Sequence, residues 1–188
     1  MRTKDENKIK AIKHAVIKLA QADGFTNLTT AKVAKEAGVS PATIYLYYQD
    51  KTDMLSRLYE EVKDDMHRGL AGVIAAAGAD TTAQVRAMLE FSVQQVVDYP
   101  QEAHFMNALW TNQELLDDKA RAYGSIQAGP LLKLYATINA DPQFVDAPEQ
   151  VLAAFGALPT LMLETSGDRV DSATMDLVIE LVLKALKK

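Results

Sequence analysis

Apolar residues recur at spacings of three and four along almost the whole chain, which is the spacing of one face of an α-helix. The first stripe contains Ile9, Ile12, Val16 and Leu19 and predicts a helix over about residues 4–23, which Gly24 ends. Similar stripes predict helices over about 81–98, 100–112, 114–139, 148–165 and 172–187, with an interruption at 128–130. Neither an alternating strand pattern nor an internal repeat occurs, so the pattern predicts an all-α protein.

Two short helices with strong start signals lie between residues 28 and 51. Thr29 or Thr30 can cap a helix that ends at Gly38. Ser40 followed by Pro41, a hydroxyl cap before a proline at the first helical position, begins a second helix of about two turns. Together with the first helix of the chain, these two predict a helix-turn-helix domain.

A longer helix follows this small head. Asp50 can cap it, and its apolar stripe runs from Leu55 through Leu70 to Val73, which predicts one continuous helix. Because this helix joins the head directly to the rest of the chain, we expect no flexible linker. The chain therefore divides into a head, residues 1–50, and a helical body, residues 51–188.

The composition narrows the class of protein. Hydrophobic residues make up 48% of the 188 residues, enough for a packed core. No apolar run approaches the roughly 18 residues of a membrane span, and no apolar segment of the secretory type follows the charged N-terminus. The chain has no cysteine, which excludes disulfides, thiolate zinc sites and thiol catalysis. We expect a cytoplasmic protein without membrane association.

The charge is distributed unevenly. Residues 1–51 contain nine Lys and Arg against five Asp and Glu, a balance of +4, whereas the whole chain carries −5. A basic head on an acidic body is typical of proteins in which only one end meets a polyanion.

An enzymatic function has no support in the residue pattern. The three histidines, His14, His67 and His104, lie on different predicted helices. The chain contains no metalloprotease motif, nucleophile elbow, Gly-rich phosphate loop or paired-carboxylate arrangement. The sequence "EAH" at 102–104 has the wrong spacing for a di-metal helix bundle. We expect a non-enzymatic protein with no catalytic residue, metal site or cofactor.

The second short helix has an unusual outward face. On a helical wheel Ile44 and Tyr48 point toward the first two helices, whereas Thr43, Leu46 and Tyr47 point away. An exposed face with a hydroxyl, phenols and small residues but no charge is unusual in water. Phenol hydroxyls and the N–H groups of a helix start can donate to phosphates. This face therefore predicts contact with a nucleic-acid groove.

The segment "LTTAKVAKEAGVSPATIYLYYQDKTDML", residues 28–55, resembles the DNA-binding domain of the tetracycline-repressor (TetR) family of bacterial transcriptional regulators. The family pattern has a Thr before the second helix, an Ala-x-x-x-Gly-Val-Ser turn, aromatic residues in the recognition helix and a Lys at the start of helix four. The matching residues are Thr30, Ala34, Gly38, Val39, Ser40, Tyr45, Tyr48 and Lys51. The resemblance implies an all-α fold of about nine helices, with an N-terminal three-helix domain and a C-terminal helical bundle for ligand binding and dimerisation.

The resemblance also implies roles for individual residues. A homodimer would place each recognition helix in a major groove of a palindromic double-stranded operator. By position, the base-edge contacts are Pro41, Ala42 and Thr43, and the phosphate contacts are Thr30, Ser40, Tyr45, Tyr47 and Lys51. Tyr47 departs from many relatives, which have a His there, so this contact would be a neutral hydrogen bond with a weaker salt dependence.

The body of such proteins holds a dimer interface and an effector cavity. For the interface the resemblance implies the last two helices, with Ala153, Phe155, Gly156, Ala157, Met162, Leu177 and Leu181. For the cavity the aromatic stretch "HFMNALW" at 104–110 and its neighbours give His104, Asn107, Trp110, Met88, Phe91, Gln95, Tyr123 and Tyr135. An ordinary core would contain similar residues, so both assignments compete with simple packing.

The sequence therefore predicts a ligand-responsive transcriptional regulator that binds its operator as a dimer. A small, apolar or amphipathic organic effector would release it, and repression is the expected mode. The alternative is a helical protein-interaction module or small-molecule binder whose helix-turn-helix does not read DNA.

Overall fold

The computed structural model describes residues 2–126, 129–166 and 170–188, with side chains described from Glu6 and omitted for 124–126. Helices dominate these ranges, which confirms the all-α prediction. They are α1 (Arg2–Asn27), α2 (Thr30–Glu36), α3 (Pro41–Tyr47), α4 (Lys51–His67), α5 (Leu70–Ala76), α6 (Thr81–Asp98), α7 (Pro100–Thr111), α8 (Asp118–Ile126), α9 (Gly129–Ala140), α10 (Glu149–Ser166) and α11 (Ser172–Ala185).

The first of two compact units consists of Met1–Met66 and Gln101–Ser125, and so contains α1–α4, α7 and α8. The apolar stripes predicted for the head meet here, and Ile12, Val16 and Ile44 have no exposed surface. The rings of Phe25 and Phe105 pack 5.9 Å apart and fix the end of α1 against α7. The helix-turn-helix therefore shares one core with α4 and α7.

The second unit consists of His67–Pro100 and Ile126–Lys188, with α5, α6, α9, α10 and α11. Its hydrophobic core includes the phenol of Tyr135, and Val85 and Leu89 on α6 contribute to it without exposed surface. The loop after α9 is fastened to the chain end, because the Val145 N–H donates to the Leu186 carbonyl at 2.9 Å. Phe144 in this loop is buried, which explains why the predicted loop at 139–148 contains apolar residues.

The predicted continuous helix from Asp50 to Val73 is wrong. It ends at His67, and α5 begins at Leu70 after Gly69, whose φ of 95° lies in the left-handed region. An apolar stripe predicts which side of the chain is buried. It does not predict whether one residue interrupts the helical hydrogen bonds. Leu70 is still buried, so the stripe continues across a break that it cannot reveal.

The predicted helix at 114–139 also differs from the structure. A 3₁₀ turn occupies Gln113–Leu115, and α8 starts at Asp118, where the Asp117 carboxylate accepts from the Ala120 N–H at 2.8 Å. Of the interruption predicted at 128–130, residues 129 and 130 are helical in α9, whereas residue 128 lies outside the described residues. The functional boundary that we place at residue 50 stays a prediction.

Candidate nucleic-acid interface

The first helix of the motif, α2, is fixed by a hydroxyl cap and an apolar inner face. Thr29, not Thr30, is the cap, because its Oγ1 accepts from the Lys32 N–H at 3.2 Å. Val33 and Ala34 are buried against the head. Lys32 pairs with Asp23 at 3.1 Å, so one of the basic groups of the head is engaged by an acid near the end of α1.

The turn between α2 and α3 follows the predicted chemistry. Gly38 adopts a φ of 65°, which a residue with a side chain rarely takes, and the Val39 N–H donates to the Ala34 carbonyl at 2.9 Å. Ser40 Oγ accepts from the Thr43 N–H at 3.2 Å and lies 2.9 Å from Thr43 Oγ1. The cap thus holds Thr43 close to the start of α3, while Pro41 and Ala42 stay exposed beside it.

The short helix α3 has two distinct faces. Ile44 is fully buried and Tyr48, the residue after α3, is 6% exposed, as the helical wheel predicts. Burial raises the pKa of Tyr48 to about 12, which keeps its phenol neutral. On the outer face Tyr45 is 57% and Leu46 78% exposed. Tyr47, which the wheel placed outward, is half-buried.

Two predicted phosphate contacts lie next to each other. The hydroxyls of Thr30 on α2 and Tyr45 on α3 are 3.1 Å apart and share a hydrogen bond. One of these hydroxyls must accept, so the pair can direct a proton from only one member toward an outside acceptor. The structure therefore groups Thr30 and Tyr45 into one polar element that bridges the two helices of the motif.

The side chain of Lys51 does not project freely into solvent. Its Nζ donates to the Phe25 carbonyl at 2.5 Å and is partly buried. Phe25 lies just beyond the left-handed Gly24 near the end of α1, and its carbonyl also accepts from the Leu28 N–H at 3.3 Å. Lys51 thus ties the end of α1 to the start of α4, and its contact with phosphate stays a prediction.

A further link between α1 and α4 escaped the sequence analysis. Lys13 Nζ lies 2.9 Å from both Glu61 and Asp65, which are one helical turn apart on α4. Burial lowers the pKa of Lys13, but the hydrogen bonds to Asp65 and Glu61 outweigh it and raise the pKa above its ordinary value. The sequence shows two acids four residues apart on one helix, which indicates a possible site for a cation. It does not indicate that Lys13 is that cation.

The predicted effector residues are divided between the two units. His104, Asn107, Trp110 and Tyr123 belong to the first, and Met88, Phe91, Gln95 and Tyr135 to the second. In the first unit Trp110 is 47% exposed and the Tyr123 hydroxyl donates to Asp64 at 2.6 Å. In the second, Met88 and Tyr135 are buried core residues. Their common role in one cavity stays a prediction.

The predicted dimer residues lie on α10 and α11 with mixed exposure. Leu177 and Leu181 are 57% and 56% exposed, and Ala153 and Ala157 are exposed as well. Phe155 and Met162 are half-buried and line an apolar groove of about 590 Å³ with Leu181. Gly156 faces its own unit instead, because a Cβ there would lie 3.6 Å from Met88 Cε and 3.9 Å from the Tyr135 hydroxyl oxygen.

The same ranges offer neither a metal site nor a membrane-spanning helix. Among the residues that the structure describes, no group of three or more His, Cys, Asp or Glu side chains could hold a metal ion. Within that part of the chain, no helix has the length and apolar character needed to cross a bilayer.

Comparison with known proteins agrees with this arrangement. Residues 12–58 match the profile of the bacterial regulatory proteins of the tetR family, and these residues include the whole helix-turn-helix. The nucleoid occlusion factor SlmA of Photorhabdus laumondii is 27% identical over 125 residues, which are 66% of this chain and 60% of that protein. SlmA of Klebsiella pneumoniae is 29% identical over 108 residues, 57% of this chain and 52% of that protein. The match thus spans little more than half the length of these curated relatives.

The structural similarity to known proteins covers more of the chain than the sequence similarity does. A TetR family transcription regulator from Marinobacter aquaeolei VT8 superimposes with a TM-score of 0.86 over 100% of both chains, at 21% identity. This likeness extends the resemblance of the head to the fold of the body. Residues 12–58 therefore form a DNA-binding domain of the tetR type, and the whole chain has the fold of a TetR family transcription regulator.

Proposed function

We propose that this protein is a transcriptional regulator that binds a palindromic DNA operator as a homodimer and leaves it when a small organic effector binds. The single observation that carries the proposal is the outer face of α3. Tyr45 and Leu46 are exposed there without any charged neighbour on the helix, beside a capped N-terminus formed by Ser40. Such a face suits a helix that lies in a major groove.

The recognition chemistry follows from these side chains. Pro41, Ala42 and Thr43 lie at the exposed start of α3, where small residues allow close approach to base edges. The helix has no Arg, Asn or Gln, which are the usual bidentate readers of guanine and adenine. Apolar contact with thymine methyl groups and DNA shape would then supply most of the sequence preference.

Dimerisation is supported by the apolar surface of α10 and α11. Leu158, Leu161, Leu177 and Leu181 are each more than 40% exposed, and Phe155 lines the groove between them. A contiguous apolar patch on one side of two helices is typical of a protein–protein interface. A second copy that packs its own α10 and α11 here would bury it, and the two-fold axis would pair the recognition helices.

The experiment is a binding titration of the full chain against duplexes selected from the source genome. We expect a palindromic site, a stoichiometry of one dimer per site and an affinity that falls steeply with salt. Fluorescence anisotropy at several salt concentrations measures the stoichiometry of binding and the salt dependence of the affinity. An affinity for duplex that does not depend on salt would contradict the proposal and favour a protein-interaction role for the helix-turn-helix.

A second candidate function comes from the curated relatives. Their name, nucleoid occlusion factor, describes a chromosome-linked role for those proteins. If this chain had such a role, immunoprecipitation from cells would recover many sites dispersed along the chromosome. A regulator would instead occupy one or a few sites next to promoters, and deletion of the gene would change transcription from them.

A further inference from the structure

An apolar strip runs along the middle of the outer face of α3. Ile44 is fully buried and defines the inner side of this helix. Because each residue advances an α-helix by about 100°, Ala42 and Leu46 lie almost opposite Ile44 and one turn apart. Both are exposed, and Leu46, at 78%, is the most exposed large apolar side chain in the part of the chain that the structure describes. The middle of this face therefore presents only alkyl groups.

Hydroxyl groups flank the strip, and each already has a partner within the motif. On one side the Tyr45 hydroxyl lies 3.1 Å from Thr30 Oγ1 on α2. On the other side Thr43 Oγ1 lies 2.9 Å from Ser40 Oγ, which also accepts from the Thr43 N–H. The helix has no charged side chain and no amide side chain. Its polar groups thus lie at the edges of the outer face, and its middle offers no hydrogen bond from a side chain.

The major groove of DNA contains one apolar group that marks a base, the 5-methyl of thymine. The other groups that distinguish the bases there are hydrogen-bond donors and acceptors. A leucine that covered one of them would leave it without a partner, which weakens binding. Contact between a leucine side chain and a methyl group instead removes apolar surface of both from water, which strengthens binding. The strip therefore matches thymine better than any other base.

The size and surroundings of the strip favour DNA over a protein as its partner. A leucine and an alanine form a very small surface, whereas a stable protein–protein contact buries about 800 Å² on each side. The head that carries α3 has a charge balance of +4, which suits a polyanion. Residues 12–58, which contain α3, also match the tetR profile.

We propose that Leu46 is a specificity-determining residue that reads one thymine in each half-site of the operator through contact with its 5-methyl group. Ala42, one turn earlier, leaves room for the methyl group to approach the helix. The inference rests on the proposed function, because it requires α3 to lie in a major groove. It assigns the apolar part of the readout to one side chain and so predicts a base at a defined place in each half-site.

The test uses the full chain and duplexes recovered with it from a random-sequence pool. In the duplex that binds most tightly, each thymine is replaced in turn by deoxyuridine, at the equivalent position of both half-sites. This change removes the 5-methyl group and leaves every hydrogen-bonding group in place. We expect one position at which the affinity falls by about threefold to fivefold per half-site, the effect of one buried methyl group. Fluorescence anisotropy measures the affinities.

Variants of Leu46 identify the side chain that reads the methyl group. Leu46→Ala should bind the thymine duplex more weakly than the parent and should lose little further affinity with the deoxyuridine duplex, because the two changes remove the same contact. Leu46→Met, which keeps an apolar side chain of similar size, should retain the methyl effect. Since Leu46 is largely exposed, both variants should unfold at the parent's temperature, as circular dichroism can verify.

Tyr45→Phe is the matched control, because it removes a hydroxyl group at the edge of the same face. It should weaken binding to the thymine and deoxyuridine duplexes by the same factor, so that the ratio of the two affinities equals that of the parent. A change in this ratio would show that the methyl effect does not belong to Leu46 alone and would overturn the assignment.

Three further results would overturn the inference and leave the proposed function standing. They are a selected operator without thymine in its half-sites, the lack of any position at which deoxyuridine weakens binding, and a methyl effect that Leu46→Ala retains in full. If the full chain selects no duplex from the pool in preference to random sequence, the proposed function is overturned and the inference with it.

Discussion

The hydroxyls of Thr30 and Tyr45 lie 3.1 Å apart and join the two helices of the DNA-binding motif. Both hydroxyls are predicted phosphate contacts, and their hydrogen bond predicts that they bind phosphate as one unit. We expect Thr30→Val and Tyr45→Phe each to weaken operator binding by about threefold to tenfold, the effect of one neutral hydrogen bond. Anisotropy titrations with specific and scrambled duplexes should show the same loss for both sequences, because phosphate contacts carry no base information.

The double variant distinguishes a pair from two separate contacts. If the hydroxyls work as one element, Thr30→Val with Tyr45→Phe should lose little more than either change alone. A loss equal to the product of the single losses would show that each hydroxyl has its own phosphate.

Lys51 offers a choice between two physical roles. Its bond to the Phe25 carbonyl predicts that Lys51→Met lowers the free energy of unfolding by about 1–3 kcal/mol, because a charged hydrogen bond is lost. It should also weaken DNA binding without changing the slope of log affinity against log salt. Urea unfolding and salt titrations measure these quantities. A slope smaller by about one unit per protomer would instead assign Lys51 to phosphate.

Burial lowers the pKa of Lys63 to about 8, which predicts how stability depends on pH. The folded chain releases this proton near pH 8, whereas the unfolded chain retains it to about pH 10.4. Between these values the unfolded state binds more protons, so the free energy of unfolding should rise with pH. Tyr48 and Tyr59, with pKa values of about 12, act in the opposite direction only above about pH 10.

Urea unfolding from about pH 7.5 to pH 9.5 checks this prediction. Lys63→Met should be more stable than the parent at pH 7.5 and should lose the Lys63 part of the rise. Lys119→Met, which removes an exposed cation of the same unit, should retain the rise. Parallel pH profiles for the parent and Lys63→Met would show that the ammonium is well solvated in the folded protein.

The exposed leucines of α11 predict the oligomeric state. Leu177→Glu with Leu181→Glu should weaken the dimer by at least about tenfold, because each leucine buried in an interface contributes about 1.5–3 kcal/mol. Sedimentation velocity measures the change. Leu132→Glu on α9, another leucine with an exposed side chain, is the matched control and should leave the dimer intact. Equal sedimentation of all three proteins would place the interface elsewhere.

Local signals explain most of what the sequence predicted correctly. Ser40 with Pro41 located the start of α3, and Gly38 located the turn before it, because each acts within one or two residues. The burial of Tyr48 followed from its helical phase relative to Ile44. Such features depend on interactions between residues that are close in the sequence, so one sequence is enough to predict them.

Long-range partners could not be predicted in the same way. Lys51 looked like a cation near phosphate, and only the folded chain brings the Phe25 carbonyl within 2.5 Å of it. Lys63 belongs to no sequence motif, and its aromatic neighbour Trp110 lies 47 residues away in the sequence. The direction of Gly156 toward Met88 likewise depends on how helices pack.

The left-handed Gly69 has a consequence for how this sequence can change. The apolar stripe continues through Leu70 as if α4 and α5 were one helix, so the residue pattern is compatible with either arrangement. The absence of a side chain at position 69 favours the break, since any L-residue there would be strained at a φ of 95°. A substitution at this position would therefore raise the energy of the break and shift the local balance toward a helix that continues through residue 69.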